Sequence, residues 1–336
     1  MSGHVLVVRL DSIGDVIVCG PAIRAVAATA DRVTVLAGPA GAEAARLLPG
    51  VDDVVVWECP WILFDPPAVD SAAVAGLIAR VRGLDVDEAL ILTSFHQSAL
   101  PTALLLRLAA VQRIAAVSED YPGTLLDVRI PSPGELPEPL RMLQIAEQAG
   151  YRIPQTDDAR LALRADLPLP PIDLPSRYIV AHPGVTAPSR SYPDVLFAAA
   201  VAALAADGWQ VVVTGDRCEK ALTAEVAGET AIDIGGALSL AELAAVLRDA
   251  CAVVVGNTGP AHLAAAVNTP VVSLFAPVVS AARWAPYGVP RTILGDQYAP
   301  CRNTRARVCG VPGHPCLSLI RPQEIVDAVR SLAVSR

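Results

Sequence analysis

Asp166-Leu-Pro-Leu-Pro-Pro-Ile-Asp-Leu-Pro175 packs four prolines into ten residues. Proline lacks a backbone N–H and fixes φ, so this run fits neither a helix interior nor a central strand. It reads as a stiff linker, expected over 166–176. On both sides, short β-branched runs alternate with alanine- and leucine-rich runs of helical length. Before the linker, strands are expected at 5–9, 33–37, 54–56, 89–92 and 113–116. Helices are expected at 15–30, 42–48, 69–82, 99–109 and 138–150. After it, strands are expected at 178–181, 210–214, 231–234, 252–255 and 271–275, with helices at 195–206, 218–227, 240–250, 260–267 and 323–333. Continuously apolar strands of this kind belong to parallel sheets covered on both faces. The fold expected is α/β: two doubly wound, Rossmann-like domains facing across a cleft, over 1–165 and 177–321, with a terminal segment at 322–336.

The length of 336 residues agrees with two domains. Apolar residues make up 53% and charged residues 18%, which excludes disorder for most of the chain. A net charge of −8 and a single lysine, Lys220, argue against a nucleic-acid backbone or an anionic membrane surface as partner. The apolar run near the N-terminus is interrupted by Arg9 and Asp11, unlike a signal peptide. From Ala250 to Ala282 there is no Asp, Glu, Lys or Arg. Gly256–Pro260, Asn268–Pro270 and Ala276-Pro277 divide that stretch into pieces too short to span a membrane. A cytoplasmic protein without an integral membrane segment is expected.

Seven cysteines are present. Cys19, Cys59, Cys218 and Cys251 are scattered in apolar surroundings, which favours reduced, buried thiols. Cys301, Cys309, His314 and Cys316 could in principle ligate zinc, but the spacing lacks a C-x2-C pair. Free cysteines in a proline- and arginine-rich loop, without a metal, are expected.

No G-x-G-x-x-G, Walker A or G-x-S-x-G motif follows a strand. The strand ends carry other signals. In Arg9-Leu-Asp-Ser-Ile-Gly-Asp15, Gly14 permits a tight turn into a helix, and Asp15 falls in the first helical turn. An acid there is either a helix-dipole partner or a catalytic carboxylate, with Asp11 its nearest rival. In Val253-Val-Val-Gly-Asn-Thr-Gly-Pro-Ala-His262, Pro260 suits the first helical position. Thr258 and Gly259 would then offer backbone N–H groups to a diphosphate, with His262 as a further donor. In the loop His182–Pro193, Arg190 can clamp phosphate oxygens. After the next strand, Asp216 and Glu219 compete to accept ribose hydroxyls.

Taken in order, these segments resemble glycosyltransferase family 9, the ADP-heptose heptosyltransferase-like enzymes. The matching pieces are Val5–Asp15 with Pro21-Ala-Ile, His182-Pro-Gly184, Arg190-Ser-Tyr-Pro193, and Thr214-Gly215 with Glu219. The list continues with Gly256-Asn-Thr-Gly-Pro-Ala-His-Leu-Ala-Ala-Ala266, Thr269–Phe275 and Ala282–Gly288. The resemblance implies a GT-B fold with an acceptor-binding N-terminal domain and a C-terminal domain for the nucleotide sugar. It also implies a last helix, 322–336, packing back toward the first domain. The reaction implied is inverting and metal-independent, with an ADP-sugar as substrate and no further cofactor. Asp15 maps to the general base. His182, Gly184, Thr186, Arg190, Glu219, Asn257, Thr258, Gly259 and His262 fall to the donor. Ser12, Ser94, His96 and Gln97 are acceptor-side candidates. Two positions depart from the usual pattern: Arg190 where many members have Lys, and Asn257 where many have Asp. The acceptor is left open between a lipopolysaccharide core and a small soluble natural product, as is the oligomeric state. A sugar-nucleotide epimerase, a transferase with another donor, and a non-catalytic nucleotide-sugar-binding module are the alternatives.

Overall fold

The computed structural model describes residues 3–63 and 66–333. It divides into two units, Met1–Arg164 and Ala165–Arg336. Residues 1 and 2 of the expected first domain and 334–336 of the expected terminal segment lie outside the described residues.

The first unit contains β1 (His4–Arg9), α1 (Ile13–Ile17), α2 (Gly20–Ala27), β2 (Arg32–Ala37), α3 (Ala42–Leu47), β3 (Asp53–Val56), α4 (Ser71–Gly83) and β4 (Glu88–Ile91). It continues through α5 (Leu100–Leu108), β5 (Arg113–Val117), β6 (Val128–Ile130) and α6 (Glu138–Gln148). All six strands are parallel, in the order β3-β2-β1-β4-β5-β6. Val5 of β1 pairs with Val33 on one side and Glu88 on the other. The strand is buried on both faces, which its unbroken Val-Leu-Val-Val core requires. Helices start and stop where local chemistry directs. Asp70 accepts from Ala72 N at 2.9 Å to open α4, satisfying one of the donors a helix N-terminus leaves unpaired.

The second unit repeats the scheme. It holds β7 (Tyr178–His182), α7 (Asp194–Ala206), β8 (Gln210–Val213), α8 (Lys220–Ala227), β9 (Ile232–Asp233), α9 (Leu240–Asp249), β10 (Ala252–Gly256) and α10 (Gly259–Ala266). After these come β11 (Val271–Leu274), α11 (Ala281–Trp284), β12 (Arg291–Leu294), α12 (Pro315–Ser318) and α13 (Pro322–Ala333). Its parallel order is β12-β11-β10-β7-β8-β9. Ile325, Val326, Val329 and Leu332 form the buried stripe of α13. That stripe packs within this unit, on α7 and over β10–β12.

Two expectations are corrected and two strands are added. The helix foreseen over 15–30 is two helices, α1 and α2, because Pro21 opens a new first turn and cannot extend the previous one. The edge strands β6 and β12 were not foreseen; they are short and carry arginine beside their apolar residues. The strand expected at 231–234 shrinks to the two exposed residues of β9. The charge-free stretch from 250 to 282 holds β10, α10 and β11, and among the described residues no helix is long and apolar enough to cross a membrane.

In each sheet the chain starts at a central strand, winds outward, and returns to the other side. The strand order therefore reverses between β1 and β4, and between β7 and β10. Loops beyond the carboxyl ends of such a pair diverge and leave a crevice, the usual ligand position in doubly wound sheets.

Candidate active site

At the first reversal, Arg9 closes β1 and is fully buried. Its Nη2 donates to Asp15 Oδ1 at 2.7 Å and to Ser94 Oγ at 2.8 Å. Its Nε lies 2.9 Å from Asp11 Oδ2. Ser12, the residue preceding α1, donates through Oγ to Asp15 Oδ2 at 2.6 Å. Gln97 Nε2 donates to Asp11 Oδ1 at 2.6 Å, while Gln97 Oε1 accepts from Ser94 N at 3.0 Å. Below them Arg141, also buried, donates from Nη1 to Thr93 O at 2.9 Å and to Glu138 Oε2 at 3.2 Å. Burial alone would pull Arg9 down, but Asp11 and Asp15 outweigh it, and the guanidinium is held protonated well beyond its ordinary range. Burial pushes the nearby Cys19 thiol up to about 12, so it stays protonated at neutral pH and is a poor nucleophile.

At the second reversal, His182 ends β7 with Nδ1 2.9 Å from Thr214 Oγ1, just past β8. Burial pushes His182 down to about 4, against the opposing charge of Asp216. At neutral pH it is therefore a neutral ring that can donate or accept. Glu219 Oε2 accepts from Asp216 N at 2.8 Å, and Asp216 Oδ1 accepts from Cys218 N at 2.8 Å. The Glu219 carboxylate lies so close to Gly184 that a Cβ there would overlap it. Beyond β10, Thr258 is extended and its side chain caps none of the N–H groups of α10. Arg190 Nη1 reaches Asn257 O at 3.3 Å, bringing a guanidinium to the positive end of α10. His262 is buried in the first turn of α10 and meets Trp284 edge-on, 6.3 Å between ring centroids.

The donor-side candidates thus collect beyond three adjacent strands, β8, β7 and β10. Thr186 is exposed in the same loop as Gly184 and Arg190. Asn257 has a local duty: its amide donates to Ala276 O and accepts from Ala276 N, both at 3.3 Å. In the first unit Asp11, Ser12, Asp15, Ser94 and Gln97 form one network. His96 is exposed and stands against Phe95, with ring centroids 5.5 Å apart. Of the scattered cysteines, Cys19 and Cys59 are buried as expected, while Cys218 is exposed and Cys251 half-buried; of the residues weighed as a weak zinc option, Cys309 and His314 are half-buried. Cys301 and Cys316 pack in the apolar core of the second unit. Among the described residues, no three His, Cys, Asp or Glu side chains converge on a metal position. Sequence reasoning passed over Arg9, Arg141, Glu138 and Thr214. The signal for Arg9 was available: a charge as the last residue of an otherwise apolar central strand must be paired.

Comparison with known proteins supplies the family. The model of glycosyltransferase family 9 (heptosyltransferase) matches residues 68–312. Lipopolysaccharide heptosyltransferase 3 of Escherichia coli is 29% identical over 47% of this chain and 47% of its own length. Lipopolysaccharide heptosyltransferase 1 of Pseudomonas aeruginosa is 33% identical over 39% and 37%. The matches to these curated relatives thus span less than half of each. The crystal structure of a family 9 glycosyltransferase from Veillonella parvula superposes with a TM-score of 0.79 at 16% identity, covering 99% of this chain and 98% of that one. E. coli ADP-heptose lipopolysaccharide heptosyltransferase II gives 0.71 at 18% identity, covering 99% of both. The fold is accordingly GT-B-like, and the family model covers well over half of the sequence: this chain belongs to glycosyltransferase family 9.

Proposed function

We propose that the protein is an inverting, metal-independent glycosyltransferase. It moves a heptose or a related sugar from an ADP-linked donor to an acceptor hydroxyl. The observation that carries this reading is the convergence of Arg190 on the N-terminus of α10, where Thr258 leaves the helix donors uncapped. Glycosyl transfer develops negative charge on the departing diphosphate. Helix N–H groups, a guanidinium and His262 are suited to receive that charge without a metal. Glu219 is the acceptor for ribose hydroxyls, and Asn257 keeps the loop before α10 in shape. An E. coli heptosyltransferase of the same fold was solved with ADP, which agrees with this donor class.

Asp15 is the general base. As the acceptor oxygen bonds to the anomeric carbon, its proton passes to the Asp15 carboxylate, and the C–O bond to ADP breaks with the electron pair leaving on the phosphate. Arg9 and Ser12 each hold one oxygen of the Asp15 carboxylate. In a transition state with oxocarbenium character the proton leaves late, so a modest base suffices. The acceptor is a hydroxyl of a lipopolysaccharide core or of a small natural product, in a cytoplasmic setting.

The test is turnover with ADP-heptose and a panel of both acceptor classes. Asp15→Asn is expected to lower kcat by roughly 10²-fold or more while ADP affinity measured by calorimetry stays near wild type. If Asp11→Asn abolishes turnover while Asp15→Asn retains it, the base is misassigned. Conversion of ADP-heptose to an isomer without acceptor would replace transfer by epimerisation.

A further inference from the structure

Arg9 carries a charge into the core of the first unit. It is wholly buried at the end of a central strand, yet its fork is not closed on one partner. Nη2 serves Asp15 and Ser94, Nε faces Asp11, and Nη1 points at Met142 Sδ at 3.8 Å. A buried ion pair adds little stability over apolar residues of the same volume, so stability alone is a poor reason for this arrangement.

We infer that Arg9 is a positioning residue, whose guanidinium bridges Asp11 and Asp15 so that both carboxylates stay ionised and Asp15 keeps one orientation. This rests on the reading of Asp15 as the base. Two carboxylates four residues apart in sequence, with a third buried acid nearby, would repel one another, and without a shared cation one of them would take up a proton. The charged and titratable groups around the pair enter the balance. Asp11 and Asp15 come from the loop after β1 and from α1, Glu138 and Arg141 from α6; Cys19, a protonated thiol, precedes α2, and Cys59, a second thiol that burial keeps protonated, faces Asp11. With Arg9 the five charges sum to −1; without it they sum to −2. The geometry divides the labour. Arg9 holds Asp15 Oδ1 and Ser12 holds Oδ2, which fixes the carboxylate plane. Arg9 and Gln97 hold the two oxygens of Asp11, leaving Asp11 the more enclosed of the two, at 13% side-chain exposure against 20% for Asp15.

The experiment is a carboxylate ¹³C NMR titration of the full chain labelled at aspartate Cγ, with Asp11→Asn and Asp15→Asn assigning the two signals. In wild type, neither midpoint lies above that of a solvent-exposed aspartate of the same chain. Arg9→Gln, close in length but uncharged, moves at least one midpoint up by about 1–3 pH units. Arg9→Lys, which keeps the charge but not the fork, restores most of that shift. Unchanged midpoints in a folded Arg9→Gln protein overturn the inference. If that variant does not fold, a wild-type midpoint above the exposed reference does so instead. The base reading fails separately, through an active Asp15→Asn enzyme, and that outcome leaves the titration result standing.

Discussion

Gly184→Ala adds one methyl group where the protein has placed a carboxylate. The new Cβ would overlap the Glu219 carboxyl group, and no backbone atom is among its nearest neighbours. The end of a flexible side chain can retreat, so the fold survives and Glu219 moves. Its retreat breaks the bond from Asp216 N to Oε2, 2.8 Å long in the native turn. One partly exposed bond of this kind is worth about 0.5–1.5 kcal/mol, so melting falls only slightly. The effect on the donor is larger. If Glu219 accepts ribose hydroxyls, losing a charge-assisted bond of about 1.5–3 kcal/mol weakens ADP binding roughly 10–150-fold. Calorimetric titration of ADP into Gly184→Ala, Glu219→Ala and the double variant gives the answer. Each single variant binds more weakly than wild type. The double variant is no weaker than Glu219→Ala alone, because the methyl group then has nothing to displace. A Gly184→Ala protein that melts lower yet binds ADP within about twofold of wild type would refute the reasoning and remove Glu219 from the donor site.

Arg190→Ala should weaken ADP binding roughly 10–150-fold with little change in melting temperature; unchanged affinity in the same titration would show that the guanidinium does not touch the donor. His182 titrates at about 4 when folded against about 6.5 unfolded, so between those values the unfolded chain binds the extra proton and stability falls as pH is lowered. The loss approaches about 3 kcal/mol by pH 4, and melting curves from pH 4 to 7 should show it shrinking in His182→Gln. Asn257→Asp can accept from Ala276 N but, when ionised, cannot donate to Ala276 O, so urea unfolding should register a loss of about 1–3 kcal/mol. Ser273, buried in β11, has a hydroxyl without a hydrogen-bond partner among the described residues; Ser273→Ala should leave stability unchanged or raise it by about 1 kcal/mol, which the same unfolding curves would read.

Much of the architecture was legible because the signals are local. The apolar core of β1 dictates a strand buried on both faces, and Thr258 followed by Pro260 marks the start of α10. The elements that escaped notice lacked such signals. β6 and β12 are sheet edges, half wet, with arginine among their few residues. The helix over 15–30 read as one because its apolar periodicity runs through the break at Pro21. At the candidate site the residue types were readable and the bonds among them were not. Ser94 and Gln97, the acceptor-side candidates, also brace Arg9 and Asp11 in the fold. Asn257 entered as a donor contact, and its amide is engaged with the backbone of Ala276.

By itself the sequence determined two α/β units, a proline-rich join between them, and turns of the right chemistry at the strand ends. Hydrophobic period, proline and glycine act within a few residues, and a reader of the chain can see them act. Which strand lies beside which is a different matter. Arg9 meets Ser94 from 85 positions away, and Asn257 meets Ala276 from 19. Parallel strands pair only after a crossover, and the order that buries both faces of every central strand is chosen by the packing of all the helices together. That order set β4 against β1 and β10 against β7, and so gathered scattered polar residues into two clusters beyond the strand ends.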